Sequence, residues 1–180
     1  MTQSVPSTPA HELYGTGWLG RALRRLQSLE NAIAVIAILG AAVALAADLI
    51  GRELLGQGLF GAQRAAVHMT FIAGMLGFAV ATGQGAHLRI KATDTLLPAA
   101  WTPALDRLGS ALSALLLIGL AWYGTRFTLQ TASVGERSPT LGIPVWPVQA
   151  AMVWAFGSAA LRHLAYAVEP RLKPRETGLA

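Results

Sequence analysis

The sequence predicts an all-α membrane protein in which four transmembrane helices cross the bilayer and a further amphipathic helix lies at the membrane interface. Hydrophobic residues make up 53% of the 180 residues and charged residues only 13%, a balance that is too apolar for a water-soluble domain. Four long segments contain no Asp, Glu, Lys or Arg. Within these segments polar and apolar residues do not alternate as they do in the strands of a membrane β-barrel.

The four charge-free segments set the positions of the expected spans. A formal charge at the bilayer centre is costly, and a helix needs roughly 17–25 residues to cross the hydrocarbon core. The charge-free segments are residues 31–47, 65–88, 108–125 and 138–161. The expected spans are approximately residues 31–51, 65–86, 106–128 and 145–165.

The segment before the first span has the pattern of an amphipathic helix. Leu19, Leu23 and Leu26 recur at helical spacing, and arginines occupy positions between them. This pattern is typical of a helix that lies on the membrane with its basic face towards the headgroups.

The remaining segments complete the domain organisation. Residues 1–12 are rich in Ser, Thr and Pro and should form a disordered tail. Residues 13–168 should form a single four-helix membrane domain, and residues 169–180 a basic tail that can contact lipid headgroups.

The basic residues predict the orientation of the chain. Ten of the 14 Lys and Arg residues fall on the side that carries both termini and the connection between the second and third spans. Because cytoplasmic loops are enriched in basic residues, both termini should be cytoplasmic. The basic residues lie beside apolar segments and form no single polar patch, so membrane lipids are expected as partners and nucleic acid is not.

Few residues are candidates for chemistry. The chain has no cysteine, which excludes disulfides, thiolate nucleophiles and cysteine metal sites. We expect no catalytic residue, no cofactor and no metal site, and therefore no enzyme. Asp48 and Arg52 lie four residues apart near the end of the first span, where they can form an ion pair along one helix face.

The histidines raise a competing hypothesis, a four-helix membrane cytochrome of the b type, but their spacing argues against it. Such proteins hold haem between imidazoles of facing helices. His87 lies 19 residues after His68, or roughly 28 Å along a continuous helix. Only His87 and His163 share an expected depth, and that depth is close to the aqueous boundary, where haem would be poorly buried.

Small residues at three- and four-residue spacings indicate faces where helices approach closely. The candidate stripes are Ala37 with Ala41, Gly40 with Ala44, Gly74 with Gly77, and Ala151 with Ala155 and Ala159. Their partner can be another helix of this chain or another subunit.

The segment of residues 135–147 cannot be a continuous helix, because Pro139, Pro144 and Pro147 fix backbone dihedrals and remove amide donors. It can be a rigid entry into the fourth span or a docking surface. Pro147 suits the first turn of a following helix.

These residues together resemble the small permease subunit of the tripartite ATP-independent periplasmic (TRAP) transporters, the DctQ-like family. The resemblance spans most of the chain and is carried by Glu30 before the first span, Arg52 after it, GAHLRI at residues 85–90 and SPTLGIPVW at residues 138–146. The chain departs from the family at Phe60 and Gln63, where relatives often have Trp and an acidic residue, and at Lys91, where they often have an acidic residue.

The resemblance implies a subunit of the bacterial inner membrane that scaffolds a large multi-span permease and helps to dock a periplasmic substrate-binding protein during sodium-coupled uptake of organic acids. The small subunit of a tricarboxylate-type tripartite carrier is a further alternative with similar architecture. The residues expected at partner interfaces or in structural motifs are Arg52, Gln63, His87, Arg89, Ser138, Pro139, Gly142, Pro144 and Trp146.

Overall fold

Four α-helices make up nearly all of the part of the chain that the structure describes. The structure is a computed structural model and describes residues 18–83 and 102–168, without the side chains of residues 102–106. The helices are α1 (Trp18–Leu55), α2 (Ala62–Gly83), α3 (Thr102–Val134) and α4 (Trp146–Val168). The all-α prediction is confirmed for these residues.

The first helix differs from the prediction. The amphipathic segment and the first span form one continuous helix of 38 residues, about 57 Å long, so the prediction of a separate interfacial helix is wrong. Residues 26–34 contain neither Gly nor Pro, so nothing in the backbone breaks the helix there. The start of α1 is also held against the bundle, because Leu23 packs on Ala165 and Tyr166 of α4.

The helices pack side by side in the order α1, α2, α4, α3, and each of these neighbouring pairs is extensively in contact. Small residues allow the close approach. Ala79, Ala155 and Ala159 are completely buried, and the rings of Phe78 and Phe156 meet edge to face with centroids 5.9 Å apart. The small-residue stripe of α4 is therefore a packing face within this chain.

The other small-residue stripes have different neighbours. Ala37 and Ala41 are buried, and a Cβ added at Gly40 would come within 2.9 Å of the Met69 sulfur on α2. Gly74 and Gly77 instead have no atom of the described residues within 4 Å of an added Cβ. The α1 stripe is used inside the chain, whereas no described residue covers the α2 stripe.

Three helical segments in the described part of the chain are long and apolar enough to cross a membrane: α1, α2 and the Arg107–Val134 part of α3. Their large apolar side chains are exposed along most of their length, as in Ile36 of α1 and Leu115 of α3, each 68% exposed. A water-soluble protein buries most of its large apolar side chains, whereas these are exposed. This surface therefore requires lipid or another apolar partner.

The chain between α3 and α4 makes a tight, non-helical turn, as the proline pattern predicts. The amide of Ser138 donates to the carbonyl of Ile143 at 2.8 Å, and the amide of Gly142 donates to the carbonyl of Ser138 at 2.8 Å. Gly142 has a φ of +65°, a conformation that favours glycine. Pro147 lies in the first turn of α4, as expected.

Candidate functional site

A buried ion pair joins the first and last helices at one end of the bundle. An Nη2 proton of Arg162 on α4 is donated to Glu30 Oε2 on α1 over 2.5 Å, and the two side chains are 0% and 1% exposed. Desolvating two charges costs several kcal/mol each, so such a pair is tolerated only when both groups are well hydrogen-bonded. Here each charge has further partners.

The further partners of the ion pair come from α2 and α4. Arg162 Nη1 donates to the carbonyl of Ala79 on α2 and to the hydroxyl of Ser158, each over 3.0 Å. The indole nitrogen of Trp154 donates to the other Glu30 oxygen over 3.2 Å. The network therefore ties α1, α2 and α4 together inside an otherwise apolar core, and we call these side chains the Glu30–Arg162 cluster.

The Glu30–Arg162 cluster was missed by the sequence reasoning, which counted Arg162 only among the basic residues on the side of the two termini. The sequence nevertheless contained a pattern that predicts this pairing. Glu30 and Arg162 bound the first and fourth charge-free segments, and the orientation argument places both at the same membrane end. Opposite charges at equal depth on two helices of one bundle are expected to pair, since an unpaired charge there is costly.

A second polar cluster lies at the opposite end of α1. Arg52 donates to Asp48 Oδ2 from Nη2 at 2.8 Å and from Nε at 3.1 Å. The Gln63 amide, on the first turn of α2, lies 3.4 Å from the same oxygen. The Asp48 side chain is 7% exposed and that of Arg52 is 53% exposed, so the pair has one buried and one accessible member.

The loop between α1 and α2 closes over this pair. A Cβ added at Gly58 would lie 2.6 Å from Asp48 Oδ1 and 2.8 Å from Arg52 Nε, so only glycine allows the backbone to pass this close. Gly61 has a φ of +82°, and a Cβ there would lie 2.6 Å from Leu141 Cδ2. The two loops at this end of the bundle are therefore in contact.

A polar cavity of about 580 Å³ opens between the two loops. Its lining includes Asp48 and Arg52 from α1, Gln63 and Arg64 from α2, and Thr140 from the turn before α4. We call it the Arg52–Arg64 cavity. Two guanidinium groups and one carboxylate give it a formal charge of +1.

The expected interface residues divide into three groups. Arg52 and Gln63 lie together in the second cluster. The five expected residues of the turn before α4 lie within ten residues of each other, and Ser138 is buried while Pro139, Gly142 and Trp146 are exposed. Pro144 pairs with Arg137 in an isolated bridge. His87 and Arg89 lie outside the described residues.

The histidines of the described part of the chain lie at different depths. Arg162 contacts the carbonyl of Ala79, so the neighbouring His163 is level with that part of α2. His68 lies 11 residues earlier on α2, or about 16 Å along the helix. His163 packs edge to face on Tyr166 with centroids 6.0 Å apart. These two imidazoles cannot ligate one haem.

Comparison with known proteins decides between the transporter and the cytochrome hypotheses. Residues 41–172 match the family described as tripartite ATP-independent periplasmic transporters, DctQ component. The chain belongs to this family. It is therefore a small permease component of a TRAP transporter, and its family is one of transport proteins rather than enzymes. The matched region contains the Asp48–Arg52 pair, the turn before α4 and Arg162.

A curated relative extends the match towards the N-terminus. The chain is 26% identical over 153 residues to the ectoine TRAP transporter small permease protein TeaB of Halomonas elongata. The aligned region covers 85% of this chain and 79% of that protein. With the apolar helices, this likeness supports a multi-pass protein of the inner membrane. The alternative of a tricarboxylate-type carrier subunit is not favoured by either finding.

Proposed function

We propose that this DctQ-family chain is the static scaffold of its transporter, holding the large permease at a fixed depth while that subunit moves the substrate. The observation that supports this role best is the Glu30–Arg162 cluster. It joins three helices through charge-assisted hydrogen bonds in the core, and such bonds are short, directional and strong when water is excluded. A cross-linked bundle of this kind resists the deformation that a moving neighbour would impose.

We also propose that the chain spans the membrane four times, with both termini in the cytoplasm. The helix α4 carries the charged Arg162, but that charge is neutralised by Glu30 and completely buried. The packing of α4 against both α2 and α3, two helices that are long and apolar enough to span, supports a fourth span. The positive charge on the side of the termini supports the orientation.

Reporter fusions test the four-span arrangement. Alkaline phosphatase fused after residue 180 or before residue 1 should be inactive, because its disulfides form only in the periplasm, and green fluorescent protein at the same positions should be fluorescent. Alkaline phosphatase inserted at Gly56 should be active and serves as the matched control. High phosphatase activity at exactly one terminus would indicate an odd number of spans and reject the arrangement.

The surface available for the large permease is apolar. The Gly74–Gly77 face of α2 is open, and the outer faces of α1 and α3 carry exposed Ile, Leu and Val side chains. In a membrane, close packing against small residues drives helix association, because lipid supplies no hydrophobic driving force between helices. The open α2 face is thus the best candidate for a second membrane subunit.

Co-purification tests the scaffold role. The tagged chain, co-expressed with the large permease of its transporter and extracted in mild detergent, should elute with that permease as a colourless complex. Gly77→Leu should reduce the recovered permease at least severalfold, since the bulky side chain separates the helices. Gly109→Leu, at another open glycine on α3, is the control. A chain that elutes alone with a haem absorption band would support the cytochrome hypothesis instead.

Uptake by cells that co-express the transporter components tests docking and transport. We propose sodium-coupled uptake of organic acids, with the turn before α4 contacting the binding protein. The double variant Pro139→Ala and Pro144→Ala should then reduce sodium-dependent uptake of a labelled organic acid more than it reduces membrane insertion. If the double variant and the wild-type chain show equal uptake at equal expression, the proposed docking role is wrong. Equal uptake with choline in place of sodium would remove the sodium coupling without affecting the scaffold proposal.

A further inference from the structure

The Arg52–Arg64 cavity has the charge of an anion-binding site. Asp48 accepts hydrogen bonds from two nitrogens of Arg52 on one oxygen, which leaves Arg52 Nη1 without a partner in the described part of the chain. Among the described side chains, those of residues 18–83 and 107–168, no acidic group lies within ion-pair distance of Arg64. One carboxylate thus balances only one of the two guanidinium groups, and the cavity retains one positive charge for a ligand.

The position of the cavity at the start of α2 adds to this preference. Gln63 and Arg64 belong to the first turn of a helix of 22 residues, whose N-terminus carries the positive end of the helix dipole. An anionic oxygen placed between Arg52 and Arg64 would therefore be stabilised by two guanidinium groups and by the helix. Gln63 and Thr140 also line the cavity.

The depth of the cavity indicates the source of the anion. Asp48 follows the charge-free segment of α1 directly, and Arg64 precedes that of α2 directly. Arg64, and Arg52 one turn after Asp48, therefore lie at one boundary of the hydrocarbon core, where the phosphates of lipid headgroups are found. The apolar side chains of Leu59 and Val67 form part of the cavity wall, and Phe60 beside it is 88% exposed. These side chains suit the glycerol and acyl part of the same molecule.

We propose that the Arg52–Arg64 cavity binds the phosphodiester headgroup of an anionic phospholipid at this boundary. A phospholipid with one net negative charge, such as phosphatidylglycerol, matches the single unbalanced positive charge of the cavity. Arg64 is the principal phosphate ligand, because its side chain is exposed to the cavity and has no competing carboxylate. Arg52 is the second ligand, and Asp48 orients its guanidinium group by accepting two hydrogen bonds at Oδ2.

The proposal is tested on the full-length chain in detergent by native mass spectrometry, with dioctanoylphosphatidylglycerol as the probe. The wild-type chain should bind one lipid with a distinct affinity, and Arg64→Gln should weaken that binding about tenfold, the loss expected for one hydrogen bond to a charged group. Arg64→Lys should retain binding within about threefold and shows that the site still folds. Arg126→Gln, which removes an exposed charge on α3, should change the affinity less than twofold.

Several outcomes would overturn the proposal. Equal loss in the Arg64→Gln and Arg126→Gln variants would show that lipid binds by general charge attraction. Displacement of the lipid by an equal concentration of inorganic phosphate would identify a free anion as the ligand. Unchanged lipid binding by Arg64→Gln, combined with weaker capture of the periplasmic binding protein, would assign the cavity to a protein partner. None of these results depends on the scaffold role, because co-purification with the large permease is measured separately.

Discussion

Replacing Arg162 with methionine should lower the free energy of unfolding by about 3–5 kcal/mol, the cost of leaving the other member of a buried ion pair without its partner. The Glu30 carboxylate would remain 1% exposed, and Ser158 and the carbonyl of Ala79 would lose a shared donor. The unfolding of the purified chain in mixed dodecylmaltoside and dodecyl sulfate micelles, followed by far-ultraviolet circular dichroism, measures this change.

The control variants separate the ion pair from a general effect of charge removal. Arg126→Met removes an exposed guanidinium and should change stability by less than about 0.5 kcal/mol. The double variant Glu30→Met and Arg162→Met removes both charges and should recover most of the loss, because an apolar pair of similar volume replaces a costly buried one. A double variant whose loss equals the sum of the two single losses would show that the groups do not interact.

Gly58→Val should destabilise the chain by about 2–4 kcal/mol, since the new side chain enters the space of the Asp48–Arg52 pair. A Cβ alone would approach Asp48 Oδ1 to 2.6 Å and Arg52 Nε to 2.8 Å. Arg52 Nε donates one of the two hydrogen bonds to Asp48 Oδ2, so its displacement would lengthen that bond. The same denaturation experiment provides the measurement.

The steric origin of this effect can be checked in a different background. When Asp48 and Arg52 are both replaced by alanine, the atoms that oppose the new side chain are absent, and Gly58→Val should cost less than about 1 kcal/mol. Gly74→Ala, at an open helical position, should instead stabilise α2 by up to about 1 kcal/mol. A Gly58→Val cost that is the same in both backgrounds would contradict the close approach seen between the loop and the ion pair.

Local features of the fold were predictable because they depend on neighbours along the chain. Charge-free segments of sufficient length predict spanning helices whatever their partners are. Three prolines within residues 139–147 exclude a regular helix there, and the structure has a tight turn at that place. The four-residue spacing of Asp48 and Arg52 brings them to one helix face without any tertiary information.

The continuous α1 shows where local reasoning failed. An amphipathic pattern with arginines is compatible both with a helix on the membrane surface and with the extension of a spanning helix beyond the hydrocarbon core. Helical spacing is identical in the two cases. The packing of Leu23 on α4 distinguishes the two cases. Its partners, Ala165 and Tyr166, lie more than 140 residues later in the sequence.

The sequence by itself determined the membrane class, the helical segments, the turn before α4 and the family to which the chain belongs. Only the tertiary structure decided that Glu30 and Arg162 pair across 132 residues, that Gly58 covers Asp48, and that Arg64 joins Arg52 at one cavity. The physical reason is the packing order of the helices, α1, α2, α4, α3. This order arises from the fit of small residues between helices, and many stripes of small residues along a chain are equally suited to such contacts.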